Sequence, residues 1–179
     1  MNFEDVVKSI ERAWRPKLVG IEAEKTIVCS GVYDAGDVMS ESISAGTPFV
    51  FKDAARKIGG AGRIHDALVI AETTAIASII SLFLHTESPS CVVNDDVTNT
   101  AFTIADRKIA VVRIDFTACD DVGTGASEST ATPSTYGKLP KLFVCQPKSR
   151  DLYGVVAIHN ALDLADNTVL YFKLWIEQF

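Results

Sequence analysis

Ile109-Ala-Val-Val-Arg-Ile-Asp-Phe-Thr117 is the stretch on which the fold turns. Ala110, Val112, Ile114 and Phe116 alternate with positions that include Arg113 and Asp115. A period of two belongs to a strand with one apolar face and one more polar face. The same alternation recurs on either side. In Thr168–Glu177, Leu170, Phe172, Leu174 and Ile176 fall together, with Lys173 and Glu177 opposite. Between Ile76 and Leu84, Ile76, Ile80, Leu82 and Leu84 share a face and Ser81 lies on the other. Arg63–Ala71, Leu142–Cys145 and Leu152–His159 read as further strands, with shorter ones at Leu18–Ile21, Thr26–Cys29 and Pro48–Phe51.

The breaks between these runs carry turn chemistry: Gly59-Gly-Ala-Gly62, Ser88-Pro-Ser90, Asn94-Asp-Asp96 and Asp166-Asn167. Ile104–Lys108 has room for a single helical turn. Many short strands without long helical patterns between them point to an antiparallel β-sandwich or barrel over residues 17–179 rather than an α/β sheet. No repeat at a fixed period supports a β-helix. The predicted core is Ile64, Leu68, Ile70, Ile80, Leu82, Val112, Ile114, Phe116, Leu170, Phe172 and Leu174.

Residues 1–16 read differently, as a helical arm. Phe3, Val7, Ile10 and Trp14 recur at helical spacing and form one stripe. Asn2 suits an N-cap, Glu4 and Asp5 suit the positive end of the helix dipole, and Pro16 ends the pattern. A helix this short is not stable alone in water, so the stripe packs on something. It covers its own sandwich or it docks on another subunit, and in the second case Phe3, Val7, Ile10 and Trp14 are the interface residues.

The formal net charge is −6, and the Lys and Arg residues are scattered. Nucleic-acid binding leans on clustered cations, so neither nucleic acid nor a polybasic membrane contact is expected. No apolar run approaches the ~18 residues of a membrane span, and Met-Asn-Phe-Glu-Asp is not the opening of a secretion signal. Cys29, Cys91, Cys119 and Cys145 lack metal or redox spacing and lie in or beside apolar stretches. Reduced, buried thiols are expected, with a disulfide framework as the alternative. A hydrophobic share of 47% is high for a soluble monomer, so either the core is unusually full or a partner covers part of the surface.

Signs of catalysis are weak. Nucleophile-elbow, phosphate-loop and zinc-helix motifs are missing. The glycines at 59–62 fit a strand turn better than a dinucleotide loop. His65, His85 and His159 are widely spaced, and Asp95-Asp96 and Asp120-Asp121 read as solvated loop residues rather than acid/base pairs. No catalytic residue, cofactor or metal is therefore expected. Gly123–Thr135 contains no large apolar residue and reads as a long mobile loop, or as one ordered only by a neighbour.

From about Gly31 onward, the ordered segments resemble a family of small tailed-phage virion proteins. They are Tyr33-Asp-Ala-Gly-Asp-Val38, Gly60-Ala-Gly-Arg-Ile-His-Asp-Ala-Leu-Val-Ile70 and Ile80-Ser-Leu-Phe-Leu-His-Thr-Glu-Ser-Pro89. Asn99-Thr-Ala-Phe-Thr-Ile-Ala-Asp106, Ile109–Phe116, Leu152-Tyr-Gly-Val-Val-Ala157 and Leu170-Tyr-Phe-Lys-Leu-Trp-Ile-Glu-Gln178 complete the series. The resemblance implies a jelly-roll-like antiparallel β-sandwich and a capsid decoration or cement protein without enzymatic activity, held on the virion surface after assembly in the host cytoplasm. The implied partners are the major capsid protein and further copies of the chain, with a trimer expected by analogy. A head-fibre base or tail component is the alternative within the virion, and a glycan-binding sandwich is the alternative outside it. The N-terminal arm and the segment 123–135 depart from the family pattern.

Overall fold

In the computed structural model, which describes residues 4–5, 15–28, 31–74, 76–98, 102–132 and 138–179, nested antiparallel pairing organises the chain. The innermost pair joins β5 (Ile80–His85) to β6 (Ala110–Phe116). Around it, β4 (Ala61–Ala71) pairs with β8 (Ser127–Ala131) over one half and β9 (Lys141–Val144) over the other. Next come β3 (Phe49–Phe51) with β10 (Leu152–Ile158), and outermost β1 (Lys17–Ile27) with β12 (Thr168–Gln178). This is one long hairpin. Pairing of β12 with β4 and of β10 with β5 rolls it into two sheets. The larger runs β1-β12-β4-β8-β7, with β7 at Asp120–Asp121 and β9 beside β4, and the smaller runs β3-β10-β5-β6. A two-strand ladder, β2 (Val32–Tyr33) with β11 (Leu162–Asp163), completes the antiparallel β-sandwich.

Sequence alternation builds these strands. Along β12 every second residue, from Thr168 to Gln178, is buried. Phe172 lies at the centre of the core, its ring 5.2 Å from Phe49 in an edge-to-face arrangement and 5.8 Å from Phe116. Full burial of such a ring stabilises the fold by about 3 kcal/mol. Asn167, at φ 64°, makes the turn that Asp166-Asn167 announced. The expected helical turn is α1 (Ile104–Ile109). Thr103 caps it and Asp106 answers with a reciprocal hydrogen bond to the Thr103 backbone.

Three expectations need correction. Leu68 and Ile70 are not core residues; they face outward. The pairing with β12 shifts register between Trp175 and Ile176, so Asp66 opposes Trp175 and Ile64 opposes Ile176, leaving His65 as the extra residue of a bulge. Beyond it the inward phase changes, and Ala67, Val69 and Ala71 enter the core. Val112 is half-buried against the core rather than within it.

The segment 123–135 is not wholly a loop, because β8 occupies residues 127–131. Ser127, Ser129 and Ala131 face inward, and Ser129 Oγ lies 3.0 Å from Thr117 Oγ1. Small residues suffice here because the β4 backbone supplies the hydrogen bonds. Residues 133–137 lie outside the described residues. Finally, Ile76 is buried but precedes β5, which begins at Ile80.

The connections of the smaller sheet fold over its outer face. Phe83 and Val155 point outward from β5 and β10 and pack with Val38, Cys91, Val93 and Phe102 in a second, smaller core. The Phe102 ring centre lies 5.1 Å from that of Phe83 and 5.0 Å from that of His85, tilted against both. Val38 bridges to Ala157, and the Met39 amide donates to the Val156 carbonyl, which ties this covering to the sheet.

Candidate functional site

The outer face of the larger sheet is built otherwise. Outward positions on β12 are Val169, Tyr171, Lys173, Trp175 and Glu177, and β4 contributes Leu68 and Ile70. Leu18 of β1 is 63% exposed beside Pro16. Two adjoining open hollows, of about 520 Å³ and 440 Å³, share Trp175 as a common wall. The first is bounded by Pro16, Leu18, His65, Asp66, Thr130 and Glu177, and the second by Leu68, Ile70, Val169 and Tyr171. Together they form a trough along β12.

The bulge shapes one end of the trough by setting His65 and Asp66 side by side on its wall, a common use of an extra strand residue. His65 Nε2 lies 3.4 Å and Arg63 3.6 Å from the Glu177 carboxylate. Lys173 crosses the sheet to donate to Glu22 Oε1 at 2.8 Å, and its ammonium lies 5.7 Å from the Trp175 ring centre. Gly20 gives it passage, since a Cβ at that position would stand 2.6 Å from Lys173 Cε. The hydrogen bond from Lys173 holds the Glu22 carboxyl below its ordinary range. Burial, reinforced by Glu22, pushes the Tyr171 phenol up to about 12. The trough is therefore apolar along its floor and charged along its rims.

Phe3, Val7, Ile10 and Trp14, the residues expected to make an interface, lie outside the described residues. Glu4 and Asp5, between them, are helical and exposed. Sequence reading missed Tyr171 and Trp175. Their signal was present: the outward row of Thr168–Glu177 is itself mostly apolar, which a strand with one wet face does not require.

The singled-out polar residues fall elsewhere. Asp95 is buried rather than solvated, which corrects the sequence expectation. It accepts hydrogen bonds from the Tyr33 hydroxyl at 2.8 Å and the Ser40 amide at 2.6 Å. Burial nevertheless raises its pKa to about 6. Asp120 and Asp121 are exposed in β7. His85 is buried, and burial lowers its pKa against the opposing pull of Asp106.

Ser81, His159 and Asp115 have the composition of a hydrolase triad without its order. Ser81 Oγ lies 2.7 Å from His159 Nε2, but it also donates directly to Asp115, and Arg113 reaches the same imidazole nitrogen at 2.6 Å. Ser81 is fully buried, so the cluster joins β5, β6 and the chain after β10. Cys91, Cys119 and Cys145 are free, and burial pushes their thiols up to about 11. Such thiols are poor nucleophiles. Cys29 lies outside the described residues.

No family model matches this chain, and no curated protein matches it. Among solved structures, similarity extends to desmodium yellow mottle tymovirus, at 11% identity and TM-score 0.31, covering 91% of this chain and 87% of that one. The cyanophage Pam1 capsid asymmetric unit is similar at 9% identity and TM-score 0.33, covering 93% and 88%. The CBM22-1-GH10 modules of the Clostridium thermocellum endo-1,4-beta-D-xylanase 10B, complexed with xylohexaose, are similar at 6% identity and TM-score 0.34, covering 92% and 28%. At these TM-scores none of the three likenesses bears on function.

Proposed function

We propose that this chain is a structural protein of a virus particle, and more narrowly a bacteriophage capsid decoration or cement protein. The observation that carries this reading is the open apolar trough of the larger sheet. A broad exposed apolar surface with charged rims suits a neighbouring protein, whereas small-molecule chemistry favours a converging polar pocket. The rolled hairpin supports a jelly-roll-like reading of the sandwich, an architecture shared by capsid proteins and lectins. Fold does not choose between those uses. The resemblance of the segments from Gly31 onward to tailed-phage virion proteins favours the capsid. On this reading the partners are the major capsid protein and further copies of the chain in a trimer, with no nucleic acid, membrane, cofactor or catalytic step involved.

The test adds the purified protein to assembled heads of its own phage that lack it. Co-sedimentation and a raised melting temperature of the heads are expected, because a ligand of the assembled state stabilises it by mass action. Heads that melt unchanged at saturating protein overturn the cement role. Binding to tails instead assigns the chain to a fibre base or tail. One observation favours a second reading: Trp175 shares a hollow with Asp66 and Glu177, as in aromatic-and-acid sugar sites. Retention on a glycan array without any capsid, abolished by Trp175→Ala, would establish that reading.

A further inference from the structure

We infer that a hollow on the outer face of the smaller sheet, between β5, β6 and α1, binds an aromatic carboxylate, its ring inside and its carboxylate on Arg107 and Arg113. The hollow is separate from the trough, so the inference holds whether or not the chain binds a capsid.

Strand pairing makes room for a ring at this place. Phe83 and His85 alternate with the inward residues of β5, and Arg113 stands opposite Phe83 on β6. The register then shifts: Val112 opposes Leu84 and Ala110 opposes His85, which leaves Val111 as an extra residue. Such a bulge bends its strand and re-aims side chains. Phe102, just before the Thr103 cap of α1, tilts its ring against those of Phe83 and His85. Among these groups lies a hollow of about 160 Å³ whose walls are almost wholly apolar. An apolar cavity of about 150 Å³ holds a benzene ring. Aromatic walls favour an aromatic guest through edge-to-face contacts.

The charges that line the hollow are of one sign. Arg107, exposed in the last turn of α1, and Arg113 both line it, and no Asp or Glu is among the described residues that do. Arg113 is already positioned. Asp115 accepts from its Nε, His159 Nε2 lies 2.6 Å from its Nη2, and its guanidinium carbon stands 5.6 Å from the Phe83 ring centre. A guanidinium has five N–H donors, so these contacts leave others for a ligand. Asp106 acts on His85 electrostatically, but its carboxylate is already engaged by donors from Ser90 and Thr103. In a chain of net charge −6, two guanidinium groups beside an apolar hollow select a guest with both a ring and an anionic group. A neutral hydrocarbon would leave the cations unused, and a bare inorganic anion would leave the hollow empty.

The test titrates the full chain, labelled with carbon-13 phenylalanine, with benzoate and follows the ring signals by NMR. Saturable shifts of Phe83 and Phe102 are expected, with a Kd of about 1 mM for so small a ligand. Benzyl alcohol keeps the ring but loses the charge, and should bind about tenfold more weakly. Arg107→Gln should remove most of that difference. Ala110→Phe, which fills the hollow from an exposed position, should abolish binding in a chain that melts as the original does. If Ala110→Phe melts lower, Arg107→Gln and the benzyl alcohol comparison decide by themselves. Benzyl alcohol binding as tightly as benzoate overturns the inference, as does acetate moving the same signals as strongly. Benzoate affinity unchanged in Arg107→Gln, shifts that persist in a folded Ala110→Phe chain, or rings that benzoate leaves unmoved overturn it equally.

Discussion

The two outer faces of this sandwich started from similar chemistry and ended differently. The smaller sheet presents Phe83 and Val155 outward, and long connections cover them with Val38, Cys91, Val93 and Phe102. The larger sheet presents Leu68, Ile70, Tyr171 and Trp175 outward, and they line open hollows instead. Apolar residues on an outer face are therefore not one signal. Where the chain has connections long enough to return over the sheet, they become a second core. Where connections are short turns, they remain a surface available to another chain.

Gly46→Ala is the largest expected break in that comparison. A Cβ at residue 46 would sit 1.9 Å from the Val93 carbonyl oxygen and 2.7 Å from Ser40 Oγ, between the two covering segments. The backbone on one side cannot yield as a side chain would, so a loss of about 3 kcal/mol is expected by urea denaturation. A variant as stable as the original would mean that the covering is a loose flap rather than part of the fold.

Asp95 sharpens the comparison through pH. Its carboxyl, beneath the covering, has a pKa of about 6 against an ordinary 3.8 because burial disfavours its charge. The folded chain therefore holds this proton more tightly than the unfolded chain does. Stability contributed by Asp95 should rise as pH falls from 7 through 6 towards 4.5, and be lost as pH rises again. Asp95→Asn keeps an oxygen to accept from Tyr33 and Ser40 but cannot titrate. Thermal melts of the variant should lack that increment, and identical pH slopes in the two proteins would exclude Asp95 as its source.

Trp175→Ala should have the smallest effect on folding, within about 0.5 kcal/mol, because the trough contributes little to the core. Its effect should appear in association instead. A large drop in melting temperature for the dilute protein would show that the open face is needed for the fold, and the contrast between the faces would fail.

Much of the architecture was legible from alternation alone. Leu170, Phe172 and Leu174 take their inward places because a period of two fixes their face once one member is buried. The turn at Asp166-Asn167 and the helical turn at 104–109 followed from local backbone chemistry. The covering over the smaller sheet was not legible, since nothing local tells a connection which face to cross. Asp95 looked like a solvated loop acid for the same reason: its partners Tyr33 and Ser40 are distant in sequence.

Sequence by itself determined a mainly β chain, its principal strands and most of its core, because side-chain alternation is a property of each strand alone. Tertiary structure decided the phase of β4, the strand within 123–135 and the identity of the open face. One extra residue at His65 reverses which side of β4 is wet, and that reversal moves Leu68 and Ile70 from the expected core onto the trough. A bulge exists only in relation to the partner strand against which it is counted, so no reading of residues 61–71 alone contains it.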